Sequence, residues 1–363
     1  MARVLLSGYY GFGNFGDEAL LEVIVGRLRD RFPSLSLEVL SATPKATTAE
    51  HRVAAVPRWD WREIHAAIAR ADVVLSGGGG LLQNSTSTRS LLYYSGILRE
   101  AIRTRRKTML FAQSIGPLDF WGRLIVRYFC NGLDRATVRD EASCRLVDRL
   151  LPATPVEKTA DPVFLYEASE TSADLAGEGL GPESGDYALV SVRKASSFRD
   201  VCAVVSRVVD RLASRHQIRA AFLPLGGAAD AAASTDVIRA CTSNPVLLPE
   251  CSLSKAASVL RGAHLVVGMR LHSLVLAARY AVPFLPLAYD PKITAFCKDL
   301  EYPIPPVWSA AKPRPGDEAI GDVVDRLVRE RDEIVAHLTR RRPQLQAAAE
   351  RNFDVLGELL NEA

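Results

Sequence analysis

Val4-Leu5-Leu6-Ser7-Gly8-Tyr9-Tyr10-Gly11-Phe12-Gly13-Asn14-Phe15-Gly16-Asp17-Glu18, continuing into Ala19-Leu20-Leu21-Glu22-Val23-Ile24, is the stretch on which the fold turns. An apolar run enters a glycine-rich segment and leaves into apolar side chains at helical spacing: a strand, a turn and a helix N-terminus. That sequence of elements opens a parallel α/β unit, in which backbone N–H groups at the turn face a ligand. Gly11-Phe12-Gly13-Asn14-Phe15-Gly16 has the G-x-G-x-x-G spelling of a dinucleotide site. Two features oppose that reading. The acidic residue expected roughly 20 positions on, to hold a ribose hydroxyl, is missing, because the second strand, Leu37 to Leu40, ends in Ser41-Ala42-Thr43. The helix also opens with Asp17-Glu18, which suit the helix dipole but would repel a pyrophosphate. A purely structural tight turn, for its part, needs neither two tyrosines nor an asparagine between its glycines.

The same rhythm continues outward. Strand-like runs at Arg3 to Ser7, Leu37 to Leu40, Asp72 to Ser76, Thr108 to Ala112 and Ala136 to Arg139 alternate with helical patterns such as Ala19 to Phe32 and Leu91 to Arg105. A polar Gly/Ser/Glu-rich segment interrupts it, and strands resume at Tyr187 to Val192, Ala220 to Pro224, Pro245 to Leu248, Leu265 to Val267 and Phe284 to Leu287. From Gly316 onward the pattern is helical and charged. This alternation predicts an α/β fold of two Rossmann-like, parallel-sheet domains, 1–168 and 187–315, joined by a linker at 169–186, with the helices of 316–363 packing back across both. A chain of 363 residues, 48% apolar, is long enough for two cores. Its net charge of +3 comes from well-mixed acids and bases, which excludes a nucleic-acid surface spread over the whole protein. Six cysteines without a C-x-x-C pair or a histidine at metal spacing predict reduced thiols and no metal site. No apolar run reaches the roughly 18 residues of a membrane span and no signal-peptide pattern opens the chain, so a cytoplasmic location is expected.

Ligands of open parallel sheets bind beyond the carboxyl ends of the strands, so the residues after each apolar run carry the functional reading. After Asp72 to Ser76 come Gly77-Gly78-Gly79-Gly80-Leu81-Leu82-Gln83, where backbone can approach a ligand without Cβ interference. After Thr108 to Ala112 comes Gln113-Ser114-Ile115-Gly116-Pro117, with an amide for a sugar hydroxyl. Arg139 is followed by Asp140-Glu141, and a local ion pair explains it as well as a ligand role does. In the second half, Tyr187 to Val192 ends in Arg193-Lys194, and Leu265 to Val267 ends in Gly268-Met269-Arg270-Leu271-His272-Ser273. An arginine and a histidine two apart at a strand mouth combine a two-point anion clamp with a group that exchanges protons near neutral pH. The plainer alternative for His272 is a helix-start histidine bonded to backbone. Tyr289-Asp290-Pro291-Lys292 places a lysine near the same mouth, or sets a solvated lysine on a proline turn. His51, His65, His216, His264 and His337 read as structural, and no Walker lysine or G-x-S-x-G elbow is present.

Taken in order, Gly8 to Glu18, Gly77 to Gln83 with Tyr93-Tyr94, Gln113 to Pro117, Val138-Arg139-Asp140-Glu141, Ala160-Asp161-Pro162-Val163-Phe164, Ser191-Val192-Arg193, Gly268 to Ser273 and Tyr289-Asp290-Pro291-Lys292 resemble the polysaccharide pyruvyl transferase family. The resemblance is strongest to bacterial members that pyruvylate a secondary cell-wall polymer used for S-layer anchoring. It implies a GT-B-like fold with two domains facing across a cleft, the first binding acceptor and the second donor. It further implies phosphoenolpyruvate as co-substrate, no cofactor and no metal, and an N-acetylmannosamine-containing disaccharide acceptor on a polyprenyl-diphosphate or UDP carrier. The product would be a 4,6-pyruvate ketal, with phosphate released. Carried over by motif, His272 is the general acid and Arg270 its catalytic neighbour. Arg193, Arg270, Lys292 and Gly268 bind the donor, and Tyr10, Asn14, Asp17, Gly79, Gly80, Gln83, Gln113 and Arg139 lie on the acceptor side. A lipid-linked acceptor suggests peripheral contact with the inner face of the membrane through Arg99, Arg103, Arg105, Arg106 and Lys107 or through Arg340-Arg341-Arg342; a solvated surface is the alternative. A GT-B sugar-nucleotide glycosyltransferase is the runner-up, and it would want an acidic residue near the loop of Arg270 to His272, which offers none. A binding protein without catalysis, in which His272 is dispensable, is the third reading.

Overall fold

Residues 2–168, 186–195 and 197–362 are described by the computed structural model. The chain divides into two compact units, Met1–Leu165 with Leu345–Ala363, and Tyr166–Gln344. Apart from Asp186, the expected linker at 169–186 lies outside the described residues.

In the first unit, β1 (Arg3–Tyr10), β2 (Ser36–Ser41), β3 (Ala54–Pro57), β4 (Val73–Gly79), β5 (Lys107–Gln113), β6 (Arg135–Val138) and β7 (Val156–Lys158) form one sheet in the order β3-β2-β1-β4-β5-β6-β7. Every adjacent pair is parallel. Helices α1 (Phe15–Arg31), α2 (Pro44–His51), α3 (Trp61–Arg70), α4 (Thr88–Arg103), α5 (Phe120–Phe129) and α6 (Glu141–Leu150) make the crossovers. Central strands of such a sheet are covered on both faces, and β4 is buried along its whole length. The caps are legible in the chain: Asp60, Ser87 and Asp140 each accept a backbone N–H of the first turn of α3, α4 and α6.

Two details depart from the sequence reading. β1 runs on through Gly8, Tyr9 and Tyr10, so residues expected in the turn still alternate as a strand, with Tyr9 39% exposed and Tyr10 1%. The run Gly77-Gly78-Gly79 is not a loop but the end of β4. Gly78 has φ +61°, and a Cβ there would stand 2.8 Å from Leu20 Cδ1, so glycine lets α1 lie close against the strand.

The second unit repeats the plan. β8 (Tyr187–Ser191), β9 (Arg219–Phe222), β10 (Val246–Leu247), β11 (Leu265–Gly268), β12 (Phe284–Ala288) and β13 (Trp308–Ser309) are ordered β10-β9-β8-β11-β12-β13, all parallel. They alternate with α7 (Phe198–His216), α8 (Ala228–Ile238), α9 (Leu253–Gly262), α10 (Leu271–Arg279) and α11 (Pro291–Asp299), followed by α12 (Asp317–Arg329) and α13 (Arg331–Asn361). In both sheets the strand order reverses beside the first strand, which puts a topological switch point at β1/β4 and another at β8/β11. The last part of α13 belongs to the first unit: Phe353 packs on Phe111 at 5.1 Å, and Asn352 hydrogen-bonds Thr159 and Ala160.

Candidate active site

The β8/β11 switch point gathers the basic residues of the second unit. Gly268, last in β11, pairs in register with Ser191, last in β8, so the segments that follow leave side by side. The Arg193 amide approaches Met269 Sδ at 3.5 Å. Its guanidinium donates to the hydroxyl of Tyr289, just beyond β12, at 3.3 Å and lies 5.4 Å from the centre of that ring. Arg270 forks onto Asp230, with Nε 2.5 Å from Oδ2 and Nη2 2.9 Å from Oδ1. Asp230, in the first turn of α8, is 2% exposed. His272 is the second residue of α10 and is half-buried. Ser273 Oγ donates to the Arg270 carbonyl at 2.6 Å, fixing that turn. Gly268 admits no side chain, since a Cβ there would fall 2.4 Å from Leu274 Cδ2. Lys292 Nζ sits 3.4 Å from Asp290 Oδ2, while Asp290 Oδ1 caps α11 by accepting the Lys292 amide at 3.0 Å.

One expectation is corrected here. The loop at 270–272 does have an acidic neighbour, brought from α8, and as a buried partner of Arg270 it is not placed to hold a ribose. Arg270 is therefore a restrained arginine, aimed by a carboxylate.

In the first unit the expected acceptor residues separate into two groups. Tyr10 and Gln113 are buried and make hydrogen bonds inside the unit. The Tyr10 hydroxyl donates to the Gly77 carbonyl at 3.0 Å inside the core, where burial pushes its pKa well above the usual phenol range. Gln113 Nε2 donates to Ser76 O at 2.7 Å and Ser76 Oγ at 2.6 Å, fully buried. Arg139 is paired neither with Asp140 nor with Glu141: its guanidinium bonds Asp161 and Ser114 Oγ, and the Arg139 and Asp161 side chains are 6% and 4% exposed. Gly79 is buried, and a Cβ on it would stand 3.0 Å from Asp17 Oδ1. Asn14 Nδ2 donates to Asp17 at the start of α1. Gly80 is half-buried at the end of β4, and Gln83 bonds Ser85 and Thr86 within its own loop.

The turn that opened the chain is also resolved chemically. The amides of Gly11 and Gly13 donate to Glu18 Oε1 at 2.9 and 3.2 Å. They close on a carboxylate of the same chain instead of cradling a phosphate. Burial raises the Glu18 pKa against the lowering effect of those two amides, and neighbouring Asp17 and Glu50 add to the rise.

A family model for polysaccharide pyruvyl transferases matches residues 14–291. The chain belongs to the polysaccharide pyruvyl transferase family. No curated protein matches it. Solved structures with similar folds include a UDP-GlcNAc 2-epimerase from Neisseria meningitidis bound to UDP-GlcNAc (TM-score 0.64, 11% identity, covering 99% of this chain and 100% of that one). Others are MnaA of S. aureus with UDP (0.68, 9%, 99% and 97%) and HepE of Anabaena with UDP-glucose (0.66, 10%, 99% and 100%). At such identities the likeness speaks for the fold alone, a GT-B-like pair of parallel-sheet α/β domains.

Within this pyruvyl transferase, Asp230 and Gly226 are the residues that sequence reasoning missed. A Cβ on Gly226 would lie 1.8 Å from Arg270 Nη2, so only glycine leaves room for the Arg270–Asp230 fork. The available signal was positional: Leu225-Gly226-Gly227 follows the end of β9, as Gly268 ends β11. The basic clusters expected at a membrane are partly engaged within the protein. Arg99 lies over Tyr128, Arg103 pairs with Glu100, Lys107 donates to Leu359 O, and Arg341 donates to Asp299 O. No helix among the described residues is long and apolar enough to cross a membrane.

Proposed function

We propose that this transferase takes its pyruvyl group from phosphoenolpyruvate and delivers it to an N-acetylmannosamine-containing, carrier-linked sugar, forming a 4,6-ketal in cell-wall polysaccharide synthesis. The observation that carries the reading is the convergence of Arg193, Arg270 and His272 on the edge of one sheet at the β8/β11 switch point. Phosphoenolpyruvate bears a carboxylate and a phosphate on one carbon, so its recognition calls for at least two cations with fixed directions. Arg193, steadied by Tyr289, and Arg270, steadied by Asp230, answer that need, and Lys292 adds charge from the start of α11.

In the proposed reaction His272 gives a proton to C3 of the donor, and C2 becomes the electrophile. A sugar hydroxyl adds to C2 and loses its proton, which restores His272. The C2–O bond to phosphate then breaks, and the second hydroxyl closes the ketal, its proton leaving with phosphate. Arginine holds the departing dianion throughout. In the first unit, Asn14, Asp17, Gly80 and Gln83 are the remaining candidates for acceptor contact. Work on a lipid-linked acceptor also requires the inner face of the membrane. The outer face of α5 supports such contact: Phe120, Trp121, Leu124 and Tyr128 are exposed beside exposed Arg123 and Arg127, apolar anchors with charges suited to anionic lipid.

The test combines purified protein, phosphoenolpyruvate and a β-N-acetylmannosaminyl disaccharide on a polyprenyl-diphosphate carrier, following phosphate release and sugar mass. His272→Gln should keep fold and sugar affinity while losing turnover; phosphate release at the wild-type rate from that variant overturns the assignment. Nucleotide release from UDP-sugars without phosphate release from phosphoenolpyruvate would place the enzyme with the glycosyltransferases.

A further inference from the structure

The end of β1, the residues after β3 and the start of α4 enclose a cavity of about 620 Å³, within the range of about 300–1,000 Å³ usual for small-molecule sites. Its walls are Tyr9, Phe12, Trp59, Trp61, Leu92 and Tyr93. Tyr9, Phe12, Trp59, Trp61 and Leu92 are between 39% and 63% exposed, a grouping of apolar surface that marks a binding site rather than scattered exposure. Beneath them lies Arg58, only 3% exposed. Its Nη1 donates to Gly8 O at 2.9 Å and its Nη2 to Tyr94 Oη at 3.0 Å, and its buried Nε has no hydrogen-bond partner among the described residues. The guanidinium carbon is 4.7 to 4.9 Å from the ring centres of Phe12, Trp59 and Tyr93.

We infer that this cavity is a carbohydrate subsite that stacks a neutral pyranose unit of the acceptor, adjacent to the unit that receives pyruvyl; the inference rests on the acceptor reading above. The Arg58 charge already occupies the aromatic floor, so a cationic ligand is repelled. The walls also do not form the parallel gap that a flat base needs. Tyr9 and Phe12 stack into one plate (4.1 Å, 12°), and the remaining rings stand at steep angles: Phe12 to Trp59 at 76°, Trp61 to Tyr93 at 60°, Trp59 to Tyr93 at 48°. Such a basket fits a puckered ring whose axial C–H bonds point at aromatic faces. Ser87, Arg89 and Ser90 along the rim supply polar groups for its hydroxyls. The cavity opens at the carboxyl edge of the sheet, the edge that also carries Asn14 and Gly80.

The test titrates the β-N-acetylmannosaminyl disaccharide, as its methyl glycoside, into the protein while following tryptophan fluorescence, and measures transfer kinetics for Trp59→Ala and Phe12→Ala. Because both side chains are exposed, the fold should survive, and near-UV circular dichroism checks it. We expect saturable quenching by the disaccharide, lost in Trp59→Ala. We also expect an acceptor KM raised about five- to tenfold in both variants, at unchanged kcat and donor KM. Wild-type acceptor KM in both variants, or quenching by UMP and not by the disaccharide, overturns the subsite. Sugar-dependent quenching in a protein that releases no phosphate from phosphoenolpyruvate would refute the donor assignment while supporting the subsite.

Discussion

One methyl group added at Gly226 should dislodge Arg270. A Cβ built there stands 1.8 Å from Arg270 Nη2, 2.7 Å from its Cζ and 2.8 Å from Asp230 Oδ2, against an ordinary contact of about 3.5 Å. The guanidinium must retreat by roughly 1.5 Å, and a fork closed at 2.5 and 2.9 Å does not survive that shift. Asp230 is left buried with its partner displaced. Complete loss of a buried partner costs about 3–5 kcal/mol, and an arginine that can still swing toward water reduces this to about 2–3 kcal/mol. If Arg270 also directs the donor through charge-assisted hydrogen bonds, each worth about 1.5–3 kcal/mol, then kcat/KM for phosphoenolpyruvate falls by about tenfold to 150-fold. The assay pairs donor-dependent phosphate release with thermal melting for Gly226→Ala and Gly227→Ala. Gly227 also has a positive φ, +64°, but its nearest foreign atom is Glu250 Oε1 at 3.8 Å. With ψ −156° its backbone lies in a region reserved for glycine, so its alanine variant carries backbone strain of about 1–3 kcal/mol but no direct push on Arg270, and its loss in donor kinetics should be smaller than that of Gly226→Ala. Wild-type melting and donor kinetics in Gly226→Ala, or an equal kinetic loss in Gly227→Ala, would refute the reasoning.

Further outcomes follow from the first unit. Tyr10→Phe should lower stability by about 1 kcal/mol through loss of the bond to Gly77 and leave acceptor KM untouched; a selective rise in acceptor KM would return Tyr10 to the site. Arg139→Met breaks the buried ion pair with Asp161 and should cost about 3–5 kcal/mol, read as a lower denaturant midpoint at unchanged m-value, so a loss below about 1 kcal/mol contradicts the pairing. Because the folded-state pKa of Glu18 is raised, its contribution to stability is fully present below the unfolded carboxyl pKa and is lost as pH rises through the folded value. Glu18→Gln keeps an oxygen for the amides of Gly11 and Gly13 and should flatten that part of the stability-pH curve, and an unchanged curve would discount the burial of Glu18.

Strand and helix alternation was legible because parallel strands covered on both faces read as apolar runs, and ten of the thirteen strands among the described residues announce themselves in that way. β3, β7 and β13 do not, since each lies at the edge of its sheet, where partly exposed positions interrupt the apolar run. At the second switch point the basic residues could be read from their place after β8 and β11. What could not be read was which charge meets which: Arg270 reaches Asp230 across 40 positions, and Arg139 reaches Asp161 in preference to its chain neighbours. The acceptor side was harder for a simpler reason. Strand parity decides whether a tyrosine faces core or solvent, and the extension of β1 through Gly8 sent Tyr10 inward and Tyr9 outward. Arg58 escaped notice because a single arginine after a four-residue strand carries no motif, and its meaning comes only from the rings that fold over it.

The last part of α13 has a consequence for biosynthesis. Residues 345–363 complete the first unit, where Phe353 meets Phe111, Asn352 bonds Thr159 and Ala160, and Arg351 pairs with Glu157. On a ribosome, residues 1–165 would emerge with a gap in their core that stays open while the entire second unit is translated, whereas the second unit has its own segments to hand. The part made first is thus finished last. A premature stop near residue 345 would release a chain whose first unit lacks the segment that carries Arg351, Asn352 and Phe353.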